Sequence, residues 1–450
     1  MATTESVKSL DDPGFKAELQ RLRRTDNLTN WYYIARTYLY LAAVIGGAVW
    51  VFELARTDAI SFWWTVPTAL AAVALVGAGQ HQLSGLAHEG VHHILFRSRY
   101  LNDLASDLLT MFPLFSATHL YRLQHLAHHQ FVNDPDRDPD VSQLRTSGHW
   151  LDFPVSPRVF LRTLARQMWV PKLVRFMRVR ARYNATGADH SPYLIKGHTP
   201  SRTAVRIGLL YILSLIVSLT ALYYVGDPVL LVAVPVALWA VVSVVYWRLP
   251  ADKFIRTRLH PVIPARYMTI LRLGFVTALF TTLAVITKLT GAPAALYYFL
   301  LWVVPMFTSF SFFMILRQIV QHGNADRGWM TNTRTFLVGR AINFAVFPMG
   351  QDYHLPHHMY ATIPHYRLRR LHELLMQYPE YHECGVEVKG YFFATEYPKA
   401  APTVLDVLGP EYSARHTRAV HIDDTVLDND RFDDAEQIRQ TGEQLRRSAG

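Results

Sequence analysis

The stretch His88-Glu89-Gly90-Val91-His92-His93, standing just beyond the apolar run 62–78, decides how this chain is read. Its histidines recur at helix-face spacing, and the run before it has a length that can cross a bilayer. The pattern returns in His125-Leu126-Ala127-His128-His129 and in His354-Leu355-Pro356-His357-His358. Imidazoles clustered beside membrane-length apolar segments point to an oxygen-activating metal centre held against a membrane.

Of the 450 residues, 50% are hydrophobic. They concentrate in runs of about 20, which at 1.5 Å per helical residue cover roughly 30 Å of hydrocarbon. Six runs are read, at residues 31–54, 62–78, 207–225, 228–247, 267–287 and 293–316. The fold expected is all-α, a multi-pass transmembrane helical bundle with a cytosolic His-rich cap. Residues 1–30 are taken as a cytosolic N-terminal segment and 31–376 as the membrane domain, with boxes at 88–93, 125–129 and 354–358. Residues 377–450 are taken as a cytosolic tail, polar from about Ala400 and acidic at Asp423, Asp424, Asp428, Asp430, Asp433 and Asp434. Such a tail is expected to be solvated.

The formal net charge is +10. Arginine is frequent in residues 86–203, in 248–266 and after Arg317, whereas the opposite loops, 55–61, 226–227 and 288–292, carry only Arg56 and Lys288. The positive-inside rule therefore places the Arg-rich segments and both termini in the cytoplasm. Arg36, Arg206 and Arg272 fall near inner ends of spans, where snorkelling to the interface accounts for them. The arginines flank apolar spans and form no base-reading motif, which argues against a nucleic-acid role. Cys384 is the single cysteine, so neither an intrachain disulfide nor a Cys₄ metal site can form. Residues 1–30 are polar, and no cleavable signal peptide is expected.

No full span separates the first two boxes and four separate the second from the third, so all three face one side. Residues 104–116 are apolar but too short to cross. They read as an interfacial or half-inserted helix stopped by Pro113. Were they to span, the first box would lie on the opposite side. The basic, aromatic region 149–201, with Arg158, Arg162, Arg166, Arg175, Arg178, Arg180 and Arg182, suits either anionic headgroups or an acidic electron donor.

Positions i, i+3 and i+4 share a helix face. His88 and His92 fit i, i+4, while His125, His128, His129 and His354, His357, His358 fit the full pattern, so each cluster should point its imidazoles one way. Pro356 is tolerated if His354 opens its helix. A lone histidine beside a membrane is ordinarily a hydrogen-bonded polar residue. Converging imidazoles are different, because they repel when protonated and a metal holds them neutral and close. Imidazole suits Zn, Cu, Fe and Ni alike. Eight clustered imidazoles are too many for one tetrahedral zinc and suit two metals, for which two irons able to bind and reduce O₂ fit best. His322, about one turn past the last run, brings the set to nine: His88, His92, His125, His128, His129, His322, His354, His357 and His358. His93, offset by about 100° from His92, is kept in a supporting place, and His81, His119, His365 and His372 read as packing or hydrogen-bonding histidines. Glu89, Asp103, Asp107, Asp352 and the run Asn133 to Asp140 could accept imidazole N–H groups. Asp and Asn before proline also build turns, and both readings stand for that run.

The order HxxxH, HxxHH, HxxHH, with the third box after a long membrane interval, resembles the membrane fatty acid desaturase family, and bacterial acyl-lipid members in particular. Tyr121-Arg122, the run Asn133 to Asp140, His322, and Pro364, Tyr366, Leu368, Leu371 and His372 extend the resemblance over roughly residues 31–376. It implies a helical membrane bundle under a cytosolic di-iron site held by the nine histidines, in a bacterial inner membrane. It also implies that O₂ and two electrons remove two hydrogens from a lipid acyl chain. No fused cytochrome b₅ domain is recognised, so a separate donor of ferredoxin, rubredoxin or cytochrome b₅ type is expected. The chain departs from the family pattern twice. The first box ends in His92-His93, so either could be the ligand, and two more spans than in common members lie between the second and third boxes. A hydroxylase or ketolase of an alkane, sterol or carotenoid shares the architecture and is the alternative. A haem cytochrome or a metal transporter would need histidines or polar groups at mid-membrane, where these runs have almost none.

Overall fold

A computed structural model describes residues 9–186, 192–193 and 202–412. Helices α1 (Pro13–Leu22), α2 (Thr29–Arg56), α3 (Thr65–Val91), α4 (Arg99–Ser106), α5 (Thr118–Gln130), α6 (Pro139–Ser147), α7 (Pro157–Gln167) and α8 (Val170–Thr186) form the first half. The second half begins with α9 (Arg202–Val225), α10 (Leu230–Arg248) and α11 (Ala265–Thr290). It continues through α12 (Ala294–Tyr298), α13 (Val304–Phe307), α14 (Ser309–His322), α15 (Arg340–Val346), α16 (His354–Met359) and α17 (His365–Leu375). Two three-residue strands, β1 (Thr335–Leu337) and β2 (Glu387–Lys389), pair in parallel.

Six helical stretches are long and apolar enough to cross a membrane: Thr29–Arg56, Phe62–Val91, Arg202–Val225, Leu230–Arg248, Ala265–Thr290 and Ala294–His322. Each overlaps one expected run. Two continue beyond it, the second through His88 to Val91 and the last to His322. At 1.5 Å per residue the former is about 45 Å long against roughly 30 Å of hydrocarbon, so its last turns stand clear of the lipid. Burial changes along the same helix. Before Val76 only Ala72 of α3 is buried, whereas every residue from Val76 to Val91 is.

Helices α2, α14 and α15 wrap this part of α3. Gly77 permits the closest approach, since a Cβ there would run into Ser309 Oγ and Phe310 N. Ser309 Oγ donates to Val73 O at 2.5 Å. Gln80 and Gln82 donate to the carbonyls of Trp302 (2.7 Å) and Phe344 (2.5 Å), so their amide N–H groups find acceptors across helices in an apolar setting. The other spans, α9, α10 and α11, pack around a separate core of Tyr211, Leu215, Leu219, Leu231, Val242, Tyr246, Leu273 and Val276.

Residues 104–116 do not cross. Helix α4 runs on as a π-helical turn, Asp107–Met111, and the chain reverses at Phe115 (φ 55°). Asp107 accepts from the Thr118 amide (2.6 Å) and hydroxyl (2.8 Å), tying this return to the start of α5. The first two boxes are thereby kept on one side.

Two segments at the ends are more ordered than composition suggested. Phe15, Leu19 and Leu22 of α1 pack on Leu355, Met359, Leu368 and Leu371, beneath the third box. Beyond Ala400, where a solvated tail was expected, Val404, Val407 and Leu408 are fully buried. Each signal is a few apolar residues within polar sequence, too brief for periodicity to reveal. The acidic run from Asp423 to Asp434 lies outside the described residues, as do 187–191 and 194–201 of the basic region. What is described of that region is amphipathic: Phe160, Leu164, Leu173 and Phe176 face inward, while Arg158, Arg162, Arg166, Arg175 and Arg178 are exposed. Arg180 is the exception and is buried.

Candidate metal centre

The boxes arrive from four directions. His88 lies in the last turn of α3 and His92 follows its end, His125, His128 and His129 lie on α5, His322 ends α14, and His354, His357 and His358 make up half of α16. Helix α16 opens on His354, so Pro356 falls in its first turn, where its missing N–H has no partner to lose. The nine rings form two groups: His88, His92, His125, His129 and His357, and then His128, His322, His354 and His358. Within each group one nitrogen per ring lies within 4.8 Å of all the others.

This partition is finer than the shared face expected of each box. The i, i+4 pairs His125–His129 and His354–His358 stay together, with Nε2 atoms 3.0 and 3.1 Å apart. The i+3 histidine of each triplet crosses over, His128 to the second group and His357 to the first. His357 Nε2 lies 3.1 Å from His129 Nε2, and His322 Nε2 lies 2.9 Å from His354 Nε2. Consecutive positions such as 128 and 129 are about 100° apart on a helix, enough for one short helix to serve two centres.

The surroundings of most of the rings favour the neutral form, with His128 the exception. Burial, reinforced by neighbouring imidazoles, holds His92, His125, His129, His354 and His358 well below the usual histidine range. Burial takes His357 to about 3. Both ring nitrogens of His88 and of His92, and Nδ1 of His129, His354 and His357, are buried without a hydrogen-bond partner. Orphaned donors and acceptors at this density are costly. A set of nitrogen ligands with lone pairs turned on common points fits two metal ions.

Supporting contacts fix individual rings. Asp138 accepts from His128 Nδ1 at 2.9 Å. Burial alone would lower His128, but Asp138 and Asp140 overcome it and push it up to about 9. Asp138 also takes the amides of Asn133 and Asp140, capping α6, so one carboxylate builds the turn and orients the ring. Both readings of the acidic run thus apply, while Asp134 serves the turn and the Arg137 and Arg327 ion pairs. His322 Nδ1 donates to Asn332 O (2.9 Å), and Asn133 Nδ2 donates to that same carbonyl. The buried Arg334 donates to the carbonyls of Gly323 and Asn324, just past α14. Neither Asn332 nor Arg334 carried a sequence signal, because both act through distant backbone.

His93 does not join either group. The chain turns at this residue (φ 56°), and its Nδ1 lies 3.3 Å from Arg122 and 3.6 Å from Asp103. Arg122, three residues before His125, pairs with Asp103 (2.7 Å) and donates to the carbonyls of Gly90 and Val91, so the helix of the second box closes the end of the first. A Cβ on Gly90 would meet Ser106 Oγ, which keeps α4 close against the same turn. Glu89 accepts the His365 amide (2.8 Å), and Asp352 accepts from Asn343 Nδ2 (2.8 Å). The four histidines read as packing residues all have hydrogen bonds: His81 to Ala345 O, His119 to Thr257, His365 to Asn30, and His372 to Tyr381 and Glu387.

A family model described as fatty acid desaturase matches residues 61–249 and 243–388, which include every box. The dihydrorhizobitoxine desaturase of Bradyrhizobium elkanii is 32% identical over 126 residues, 28% of this chain and 32% of that protein. The Delta(5) fatty acid desaturase fat-4 of Caenorhabditis elegans is 32% identical over 105 residues, 23% of this chain and 22% of that protein. The chain therefore spans about a third or less of the length of these curated relatives. With the family match covering well over half of the sequence, and with membrane-length helices under a buried histidine cluster, this chain belongs to the fatty acid desaturase family.

Proposed function

We propose that the protein is a membrane-bound di-iron oxidoreductase that uses O₂ and two electrons to introduce a double bond into a lipid acyl chain. The observation that carries this reading is the sorting of nine imidazoles, eight of them buried and His322 partly so, into adjoining groups of five and four, each with a common focus. His88, His92, His125, His129 and His357 would hold one iron and His128, His322, His354 and His358 the other. Two irons bound there supply the oxidising power to remove hydrogen from an unactivated methylene pair, which no side-chain acid or base can do.

The chain's own residues do the rest. Asp138 and the carbonyl of Asn332 fix which nitrogen His128 and His322 present. Burial of the rings excludes bulk water. Arg122 ties α5 to α4 through Asp103 and to the end of α3 through the carbonyls of Gly90 and Val91. The apolar spans hold the acyl chain. Even span counts between boxes, together with the arginine bias, support a bacterial inner-membrane protein with both termini and the site cytoplasmic. Electrons would come from a separate ferredoxin, rubredoxin or cytochrome b₅ type protein, as Cys384 alone cannot hold a cluster.

The test is mass spectrometry of lipids from cells expressing the wild type or His128→Ala. Loss of two hydrogens at a mapped position in the wild type alone is expected. A gain of oxygen would indicate hydroxylation instead, and identical profiles across several hosts would end the reading.

A further inference from the structure

Among the described residues, two buried arginines close to the histidines have no counter-ion. Arg317, on α14 ahead of His322, is 5% exposed, and Arg180, on α8, is 9% exposed. Among the described residues neither donates a hydrogen bond or forms an ion pair, and Arg317 Nε is buried without an acceptor. Asp140 acts on Arg317 only at a distance. The other guanidiniums around the site are matched, Arg122 by Asp103 and Arg334 by backbone carbonyls. Arg36 and Arg206 reach the surface, as snorkelling predicts, and Arg272 is half-buried, but Arg317 and Arg180 are buried.

Their position is informative. Arg180 lies 5.4 Å from the centre of the Tyr121 ring, and that ring lies 5.7 Å from His125. One phenol ring thus separates the guanidinium from an imidazole of the first group. Arg317 lies within electrostatic reach of Arg180, Tyr121 and His354. Two buried cations that repel each other and have no anionic partner among the described residues are unfavourable until an anion joins them. The guanidinium fork matches a carboxylate or phosphate.

We propose that Arg317 and Arg180 hold the oxyanion head of the substrate beside the metal centre, so that the oxidised carbons lie near the head and not far along a tail. The proposal rests on the desaturase reading for its claim that the anion is a substrate's. A free acid and a phosphate-bearing lipid share this chemistry, and the test separates them.

The full chain, iron-loaded in neutral phosphatidylcholine nanodiscs, is titrated calorimetrically with decanoate, decyl phosphate and methyl decanoate, without reductant. At least one oxyanion should bind roughly tenfold or more tighter than the ester, and Arg317→Gln and Arg180→Gln should each remove roughly tenfold. Arg317→Lys should retain part of the binding. A preference for decanoate points to a free acid and one for decyl phosphate to a phosphate head, and either supports the proposal. Ester binding as tight as the oxyanions in the wild type overturns it without recourse to any variant. So do variants of normal iron content and elution volume that bind like the wild type. Because no turnover is needed, arginine-dependent binding without any double bond in the lipids would defeat only the reaction, and a double bond with head-independent binding only this site.

Discussion

Helix α3 and the hairpin α9–α10 both read as membrane spans, yet they are buried to different extents. From Val76 onward α3 is wrapped on all sides and pinned by side chains that bond to carbonyls of other helices, Gln80 to Trp302 and Gln82 to Phe344. The hairpin packs on α11 through one apolar face, while Leu209, Leu213, Val217, Val236 and Val241 stay exposed for lipid. It too is cross-linked by polar bonds, Tyr211 Oη with Thr277 Oγ1 (2.5 Å), Tyr246 Oη to Ala204 O (2.5 Å) and Trp239 Nε1 to Ile270 O (3.1 Å). In a bilayer, apolar contact alone gives little net attraction, because lipid tails are equally apolar. Both regions are therefore fixed by polar bonds between helices, and what differs is burial, complete around the histidine-bearing end of α3 and one-sided in the hairpin.

Substitutions can break or sharpen that contrast. The largest effect is expected at the centre itself: His92→Gln or His129→Gln should lower iron content below two per chain and abolish new double bonds, as read by metal analysis and lipid mass spectrometry. Next is Arg122→Ala, which leaves Asp103 buried without its partner, a loss of about 3–5 kcal/mol for a buried pair. It should appear as a lower melting temperature and as new protease cleavage near residues 90–103, where the capped end of α3 meets α4. Asp138→Asn should weaken iron retention by roughly 10–100-fold, the usual cost of losing a carboxylate behind an imidazole, as measured by chelator competition with the fold intact.

Smaller effects test the edges of the comparison. His93→Gln should keep its iron, unlike His92→Gln, because His93 turns to Arg122 and Asp103. Equal iron loss in the two would contradict the assignment of the first box. Leu215→Ala in α9 should cost about 1–2 kcal/mol, the cavity part of a core truncation without the transfer part. Iron content should not change. A loss of iron there would mean that the hairpin shapes the centre after all.

How much of this was written in the sequence differs between particular residues. The six spans were readable because hydropathy acts locally along a helix, and their ends slipped most where α3 and α14 carry polar side chains beyond the apolar run, with a smaller slip at Arg202, where α9 begins. Of the nine histidines that the fold brings together, eight stood out because i, i+3 and i+4 spacing survives any tertiary arrangement, and His322 by its place one turn past the last run. Asn332 and Arg334 were not, since a carbonyl that accepts from His322 and a guanidinium that caps α14 depend on a loop returning from elsewhere. The burial of Val404, Val407 and Leu408 was hidden for a similar reason: their contacts, including Asn324 Nδ2 to Val407 O (3.0 Å), are long-range.

By itself the sequence determined how many helices are long and apolar enough to cross a membrane, that the boxes fall together on one side, and which imidazoles are available, because each follows from hydropathy or helical period within a short stretch. Only the tertiary structure decided how the rings divide. His128 leaves its neighbours on α5 for His322 and His354, while His357 joins His125 and His129. That choice depends on how α5 and α16 face each other across the cap, and no local periodicity encodes the angle between two helices.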